Sequence, residues 1–564
     1  MKILIEGHSY QQSIVEDICG DFETAENGCI KVSKVGYFFN STIGDCVICL
    51  PKVIKDHGKE TYLGGLSAED KVDAFSSGNH LNDTQREFVQ NFSLWSYRTI
   101  STFARLNADS SIVFRSESTA FSNSEDSVSG TLLDVIFAII EFYNRNKDYF
   151  MYIIKNLHSG YDRINWRKTI SHKTPILQDG SPIYVDVINR KKQINFDEEL
   201  MVIFYSILNY ISGNLGIMIP VECNYDLITG AQFEAYMEGL GETRLNAIKY
   251  KYFSDKDLKL WNLCYAFFQK TSGIQSSNDI SDFLLIGSFE IVFESMIDAL
   301  IGDPDLSGIK SMDDGKIIDH IFRYHSPIDG KDIYYIGDSK YYAIGAEIGD
   351  GSIYKQFTYA KNIIQYHFNG KLETSGYRDT LTEGYNFTPN FFISAYIPDE
   401  LTYENTELNP REVNEKKHRM SHFENRLFDR DTLWLTHFDI NLLFVMMLYA
   451  QDDSAEQSAF KEEFKSIVRK AFWAILTSKY DFYKVVPHSG DIKNFVKENF
   501  MLLNGKIYTA TDGSLILALE RACKETNKEI SKELSIVADF IPTSLSAIII
   551  SRLGPPYESN HISW

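Results

Sequence analysis

Apolar residues recur at two periods along this chain, and the switches between them mark out its elements. Short apolar or alternating runs over Lys2–Ile5, 30–40 and 45–54 predict a β-rich beginning. Helical spacing follows at about 66–108, 132–157, 198–215 and 256–271. Within 283–300, Phe289, Val292, Phe293, Met296, Ile297 and Leu300 keep the i, i+3, i+4, i+7 rule, which predicts a helix with one buried face. Two β-rich runs then flank Asp329-Gly330, followed by a helix over 354–366 and a strand over 390–397. A fully buried helix is expected over 439–450 and an amphipathic one over 460–484. The serine-rich run 116–129 reads as a linker or mobile loop.

The hairpin predicted around Asp329-Gly330 organises the candidate chemistry. An Asp-Gly pair between alternating apolar residues favours a two-residue type I′ turn, and such a turn sets Asp319 opposite Lys340, with Asp338 on the same face. Two carboxylates that close repel one another unless a cation lies between them, and hard oxygen ligands with room for water suit Mg²⁺. An ion there polarises a phosphoryl oxygen and acidifies a bound water, and a neighbouring lysine orients that water or stabilises developing charge. This is phosphodiester hydrolysis chemistry. The bland alternative is a solvated hairpin face with a surface ion pair worth about 0–1 kcal/mol.

The flanking helices add to the first reading. Glu290, Glu294 and Asp298 form a like-charged stripe along the upstream helix, which a shared cation would relieve and which an exposed face would also explain. Gln356 and Tyr359 are neighbours on the downstream helix. His320 and His325 read as structural, His320 pointing away from Asp319 by strand alternation.

Net charge is −21, with 56 Lys and Arg against 77 Asp and Glu, so DNA binding requires a locally basic surface on an acidic background. Two basic stretches stand out. In 160–171, Arg163, Trp166, Arg167 and Lys168 interleave charge with an aromatic ring, suiting a DNA-backbone or partner contact or else a hairpin with solvated arginines. In 411–430, basic residues are diluted by Glu and Asp, so a solvated helix is an equal alternative to a phosphate-tracking groove. Of seven cysteines only Cys46 and Cys49 form C-x-x-C, without a second pair at zinc-finger spacing, which suits reduced thiols rather than a zinc site. The beginning, MKILIEGHSY, lacks the apolar core of a signal peptide, and no apolar run reaches 18 residues, so a soluble intracellular protein is expected, with no membrane partner. No G-x-x-x-x-G-K-[ST] motif, G-x-S-x-G elbow or H-E-x-x-H is present.

The order of helix acid, strand Asp, strand Asp-x-Lys, helix with Gln and Tyr, then strand resembles the PD-(D/E)xK nuclease superfamily. The resemblance implies that Glu294, or else Glu290, matches the helix acid, Asp319 the strand aspartate, Asp338 and Lys340 the dyad, and Gln356 and Tyr359 the supporting or DNA-contacting helix. Ile318 stands where the nominal motif has proline. VGYFFN, DCVICLPKV, INWRKTIS, DSKYY, NRLFDRDTL and HFDINLLFVM narrow this likeness: they resemble the LlaJI family of restriction endonucleases, relatives of McrC nuclease subunits.

That resemblance implies a cytoplasmic prokaryotic protein of an antiviral restriction system. It would cut double-stranded DNA with Mg²⁺, for which Mn²⁺ can substitute, alongside a hexameric McrB-like AAA+ GTPase. Asp319, Asp338 and Glu294 would be the metal ligands and Lys340 the residue beside the attacking water. The alternative function is a non-catalytic McrC-like scaffold that activates the GTPase. A glycosidase reading of the paired carboxylates is disfavoured by Lys340 between them. The expected fold is multidomain α/β: a β-rich partner-docking domain at 1–110, a mainly helical middle at 130–274, a PD-(D/E)xK mixed-sheet nuclease core at 275–440, and a helical C-terminal region at 441–564.

Overall fold

The computed structural model describes residues 2–19, 23, 25–40, 43, 45–54, 83–115, 131–146, 153–157, 163–193, 199–214, 219, 225–252, 254–275, 282–310, 317–341, 348–368, 377–398, 408–410, 419–451 and 454–545. The serine-rich run 116–129 and residues 411–418 of the basic stretch 411–430 lie outside them. The chain divides into two compact units. Met1–Leu50, Leu66–Ser93 and Ala104–Gly287 form the first; Pro51–Gly65, Leu94–Phe103 and Ser288–Trp564 form the second.

The first unit has the expected β-rich beginning and helical middle. Its five-stranded sheet runs Lys2–Ile5, Asp45–Leu50, Val35–Asn40, Asp282–Ile286, Val113–Arg115, and only the first pair is parallel. The late strand Asp282–Ile286 is fixed at its head, where Asp282 accepts from the Tyr37 hydroxyl at 3.2 Å and the Leu132 N–H at 2.9 Å. Leu132 opens the helix Leu132–Arg145, whose start is closed by a reciprocal Thr131–Asp134 capping box. The helix expected over 132–157 is thereby shortened. It ends at an Asn146 cap, and the β-branched Ile153–Leu157 pairs instead with Asn189–Gln193. Cys46 and Cys49, both buried and free, are three apart on one strand, so alternation sends them to opposite faces.

In the second unit a mixed six-stranded sheet carries the candidate site. Its order is His320–His325, Asp332–Lys340, Pro389–Tyr396, Leu433–Asn441, Asn409–Pro410, with Arg419–Met420 also on Leu433–Asn441. The central strands are parallel and the first hairpin is antiparallel. Parallel central strands buried on both faces read as continuous apolar runs, as in FFISAY. The helix Phe289–Ile301 buries all six residues of its expected apolar stripe. Ser454–Lys479 also packs on the sheet, with Phe464 at 6.1 Å from Phe322 and 5.9 Å from Phe391, ring centre to ring centre.

The C-terminal region holds the expected helices, including Leu442–Gln451 and Lys524–Leu534, together with a four-stranded antiparallel sheet. Two boundaries move as a result. The helix expected to 484 stops at Lys479, because Tyr480–Pro487 alternates at period two and is one of the two inner strands of that sheet. The helix expected from 439 begins at Leu442, where Asn441 Oδ1 accepts the Leu443 N–H at 3.0 Å and closes the end of a strand.

Asp303 ties the long Ser454–Lys479 helix to the sheet. Its carboxylate takes Lys461 at 2.9 Å, Lys465 at 3.0 Å and the Arg323 N–H at 2.7 Å. Burial alone would raise its pKa, but these three donors hold it below the usual carboxylate range. A depressed carboxylate contributes stability above its unfolded-state pKa and loses it as the pH falls through the folded value. Asp303→Ala strands the buried Lys465 and is expected to cost about 3 kcal/mol at neutral pH. Urea unfolding at pH 7 and at pH 3 measures this, and the difference between variant and wild type should shrink at the lower pH.

Candidate metal-binding site

The hairpin that carries the candidate acids has a different turn from the expected one. Neither Asp329 nor Gly330 has positive φ, so the type I′ turn is absent. Instead the Ser326 N–H donates to the Lys331 carbonyl at 2.8 Å, closing a wider loop. Asp329 is buried within it, accepting the Lys331 N–H at 3.1 Å and, from a distant segment, the Asn386 amide at 3.4 Å. The ladder is thereby displaced by two residues, pairing His320 with Gly337 and His325 with Asp332. One step beyond the last pair, Asp319 falls opposite Asp338 and not Lys340. A displacement of two preserves which side chains share a face, whereas a displacement of one would have inverted it.

Alternation separates two polar clusters on either side of this hairpin. On one side, buried His320 contacts Ser339 through Nε2 and Asp298 through Nδ1 at 3.5 Å, and Asp298 also pairs with Lys310. Burial lowers the His320 pKa despite Asp298, so the ring is neutral and structural at physiological pH. Asp298 thus leaves the acidic stripe for this structural cluster.

The other side gathers the remaining acids. Asp338 is almost wholly buried, and Lys340 forms an ion pair with its Oδ2. Asp319 is half-buried; burial, the Asp338 charge, a hydrogen bond shared with Asp338, and Glu294 together push its carboxyl up to about 8, with Lys355 opposing. Glu294 is also raised, by burial and then by Asp338, while Lys340 and Lys355 oppose. Glu290 is exposed on the helix surface. The acids therefore crowd one another, so that metal-free Asp319 favours its protonated form; the spacing of the sequence suggested that crowding for the strand pair.

The downstream helix Asp350–Phe368 supports the dyad strand from behind. Buried Gln356 donates from Nε2 to the Ile336 carbonyl at 2.9 Å, two residues before Asp338. Tyr359 is buried beside it, and Lys355 Nζ lies 5.4 Å from its ring centre. Gly337 permits the close approach of the next strand, since a Cβ there would meet the Phe391 ring at 2.3 Å. Lys355 is the residue that sequence reading passed over. Its signal was its place beside Gln356 and one turn before Tyr359.

Among the described residues no group of three Asp, Glu, His or Cys side chains converges tightly enough to grip an ion unaided. Two opposed carboxylates are nevertheless a sufficient protein contribution for Mg²⁺, which keeps several waters and takes one or two carboxylates. Asp319 and Asp338 fit that description.

A mixed sheet flanked by helices, with facing acids and a lysine on its antiparallel first hairpin, defines the chain as a multidomain α/β protein with a polyacidic site. A family model described as LlaJI restriction endonuclease matches residues 98–405, more than half of the sequence, and the chain belongs to that family. No curated protein matches. Two solved Thermococcus gammatolerans assemblies align with it. One is a half-complex of a tetradecameric assembly of McrB AAA+ hexamers with bound McrC, at 10% identity and TM-score 0.27, covering 82% of this chain and 99% of the other. The second is the McrBC complex, at 11% identity and TM-score 0.16, covering 54% and 88%. Overlap at these scores is too slight to carry an argument. No helix among the described residues is long and apolar enough to cross a membrane.

Proposed function

We propose that this chain is a Mg²⁺-dependent DNA endonuclease of PD-(D/E)xK type, the cutting subunit of a restriction system that works with a McrB-like AAA+ GTPase. The observation that carries the reading is the placement of Asp319 across the hairpin from Asp338, with Glu294 facing both. Asp319 and Asp338 would hold the ion, and Glu294 would add a ligand through water. What the ion supplies there is polarisation of a phosphoryl oxygen and a more acidic water. Lys340, paired with Asp338, would orient that water and stabilise negative charge on the phosphate. Gln356 fixes the dyad strand through Ile336, and Tyr359 packs behind it. The partner follows from family membership and from the lack of a nucleotide-binding P-loop in this sequence.

The test is plasmid cleavage by the purified chain with Mg²⁺, with and without an AAA+ GTPase of the McrB type and GTP. Cutting that needs the metal and stops with EDTA is expected, with Mn²⁺ restoring it. Stimulation of GTP hydrolysis without any cutting would instead establish the scaffold reading.

A further inference from the structure

Residues 163–193 of the first unit run against the charge of the whole chain. Seven Lys and Arg stand there against two Asp, Asp179 and Asp186, in a protein of net charge −21. The segment is built from the strand Arg163–Ile164, the helix Trp166–His172, an exposed hairpin of Ile176–Gln178 with Ser181–Ile183, and the strand Asn189–Gln193. The stretch weighed above as a DNA contact or a hairpin is thus a short strand and a helix, with the hairpin beyond it.

Its cations are arranged at an electrostatic disadvantage. Arg190 is the direct cross-strand partner of Arg163, and like charges in that relation are destabilising. Both are exposed, as are Arg167 and Lys168 on the adjoining helix, and no carboxylate among the described residues pairs with any of the four. Elsewhere in the same unit Arg145 pairs with Glu141 and Arg244 with Glu199, at 2.6 Å each. Trp166 stands beside this group 54% exposed, its ring held edge-on by Tyr184 at 6.4 Å. Unopposed arginines facing one another, in a chain otherwise rich in acid, mark a surface completed by an external polyanion.

We infer that this module binds duplex DNA through its phosphates, with Arg163, Arg190, Arg167 and Lys168 as the contacts. An acidic protein would also satisfy the charge, but clustered cations that replace condensed counterions are the rule on DNA. The assignment rests on the endonuclease reading only for the choice of DNA among polyanions.

The test reads binding and not cutting. Anisotropy of a labelled 30-base-pair duplex is followed in EDTA with the full chain, between 50 and 200 mM salt. Replacing all four residues by alanine is expected to weaken binding at least 10-fold at 50 mM and to lower the slope of log affinity against log salt by about 3. Its thermal midpoint should not fall, since repulsion is removed. If it does fall, Arg167→Gln/Lys168→Gln decides, because both side chains are exposed on the helix and their loss alone should lower the slope by about 2. Binding read in EDTA is independent of cleavage, which separates this surface from the proposed catalytic site. Unchanged affinity and slope in the fourfold variant, or no DNA binding by the wild-type chain at 50 mM salt, overturns the inference. A fourfold variant that keeps DNA binding but loses the AAA+ partner reassigns the surface to that protein.

Discussion

Asp338→Ala is expected to lower DNA cleavage about 100- to 1,000-fold, the scale lost when a charge-stabilising group is removed from a reaction centre, while the fold persists. Two effects on stability oppose one another. Removing the Asp338 carboxylate relieves its repulsion with Asp319 and Glu294. It also leaves Lys340, whose side chain is 13% exposed, without its ion-pair partner. Losing the partner of a buried charge is costly, so the near-cancellation should keep the thermal midpoint within about 2 °C. Plasmid cleavage and a melting curve on one preparation check both halves. A variant that melts normally and cuts at the wild-type rate would remove Asp338 from the mechanism.

Asp319→Asn is expected to lose activity as severely and to gain stability. The native carboxyl is pushed up to about 8 by burial and then by Asp338, so folding in the absence of metal favours its protonated form. A carboxyl raised on folding contributes stability below its unfolded-state pKa, near 4, and that contribution is lost as pH climbs through the folded value. Asparagine keeps the neutral shape at every pH. In EDTA, therefore, the melting advantage of Asp319→Asn should be small at pH 5, grow to roughly 1–3 °C by pH 8 and level off above it. With saturating Mg²⁺ the order should reverse, because the ion stabilises only the chain that can bind it. An advantage that is the same at pH 5 and pH 8 would contradict the crowding of these acids.

The elements around the site were legible because each has a strong period. The helix Phe289–Ile301 and the strand Pro389–Tyr396 follow from apolar spacing alone. The hairpin also followed, although its register did not, since Asp329 makes tertiary contacts with Asn386 that no local turn rule anticipates. The shared face of Asp319, Asp338 and Lys340 survived because the displacement was two residues. Lys355 was missed for a related reason: only the packing of its helix against the dyad strand turns it toward the acids. The strand Tyr480–Pro487 reads as helix as far as Lys484, because an amphipathic helix runs directly into it without glycine or proline to mark the change. Asp282–Ile286 lies far in sequence from the strands it joins, and long-range pairing leaves no local signature.

The central claim is that Asp319 and Asp338 together hold a divalent ion. Titrating the metal-free chain with Mn²⁺ while following the free-ion electron paramagnetic resonance signal tests it most directly. One ion taken up per wild-type chain, displaced by Mg²⁺ and lost in both Asp319→Asn and Asp338→Ala, is the predicted result. Equal uptake by the wild type and both variants would contradict it.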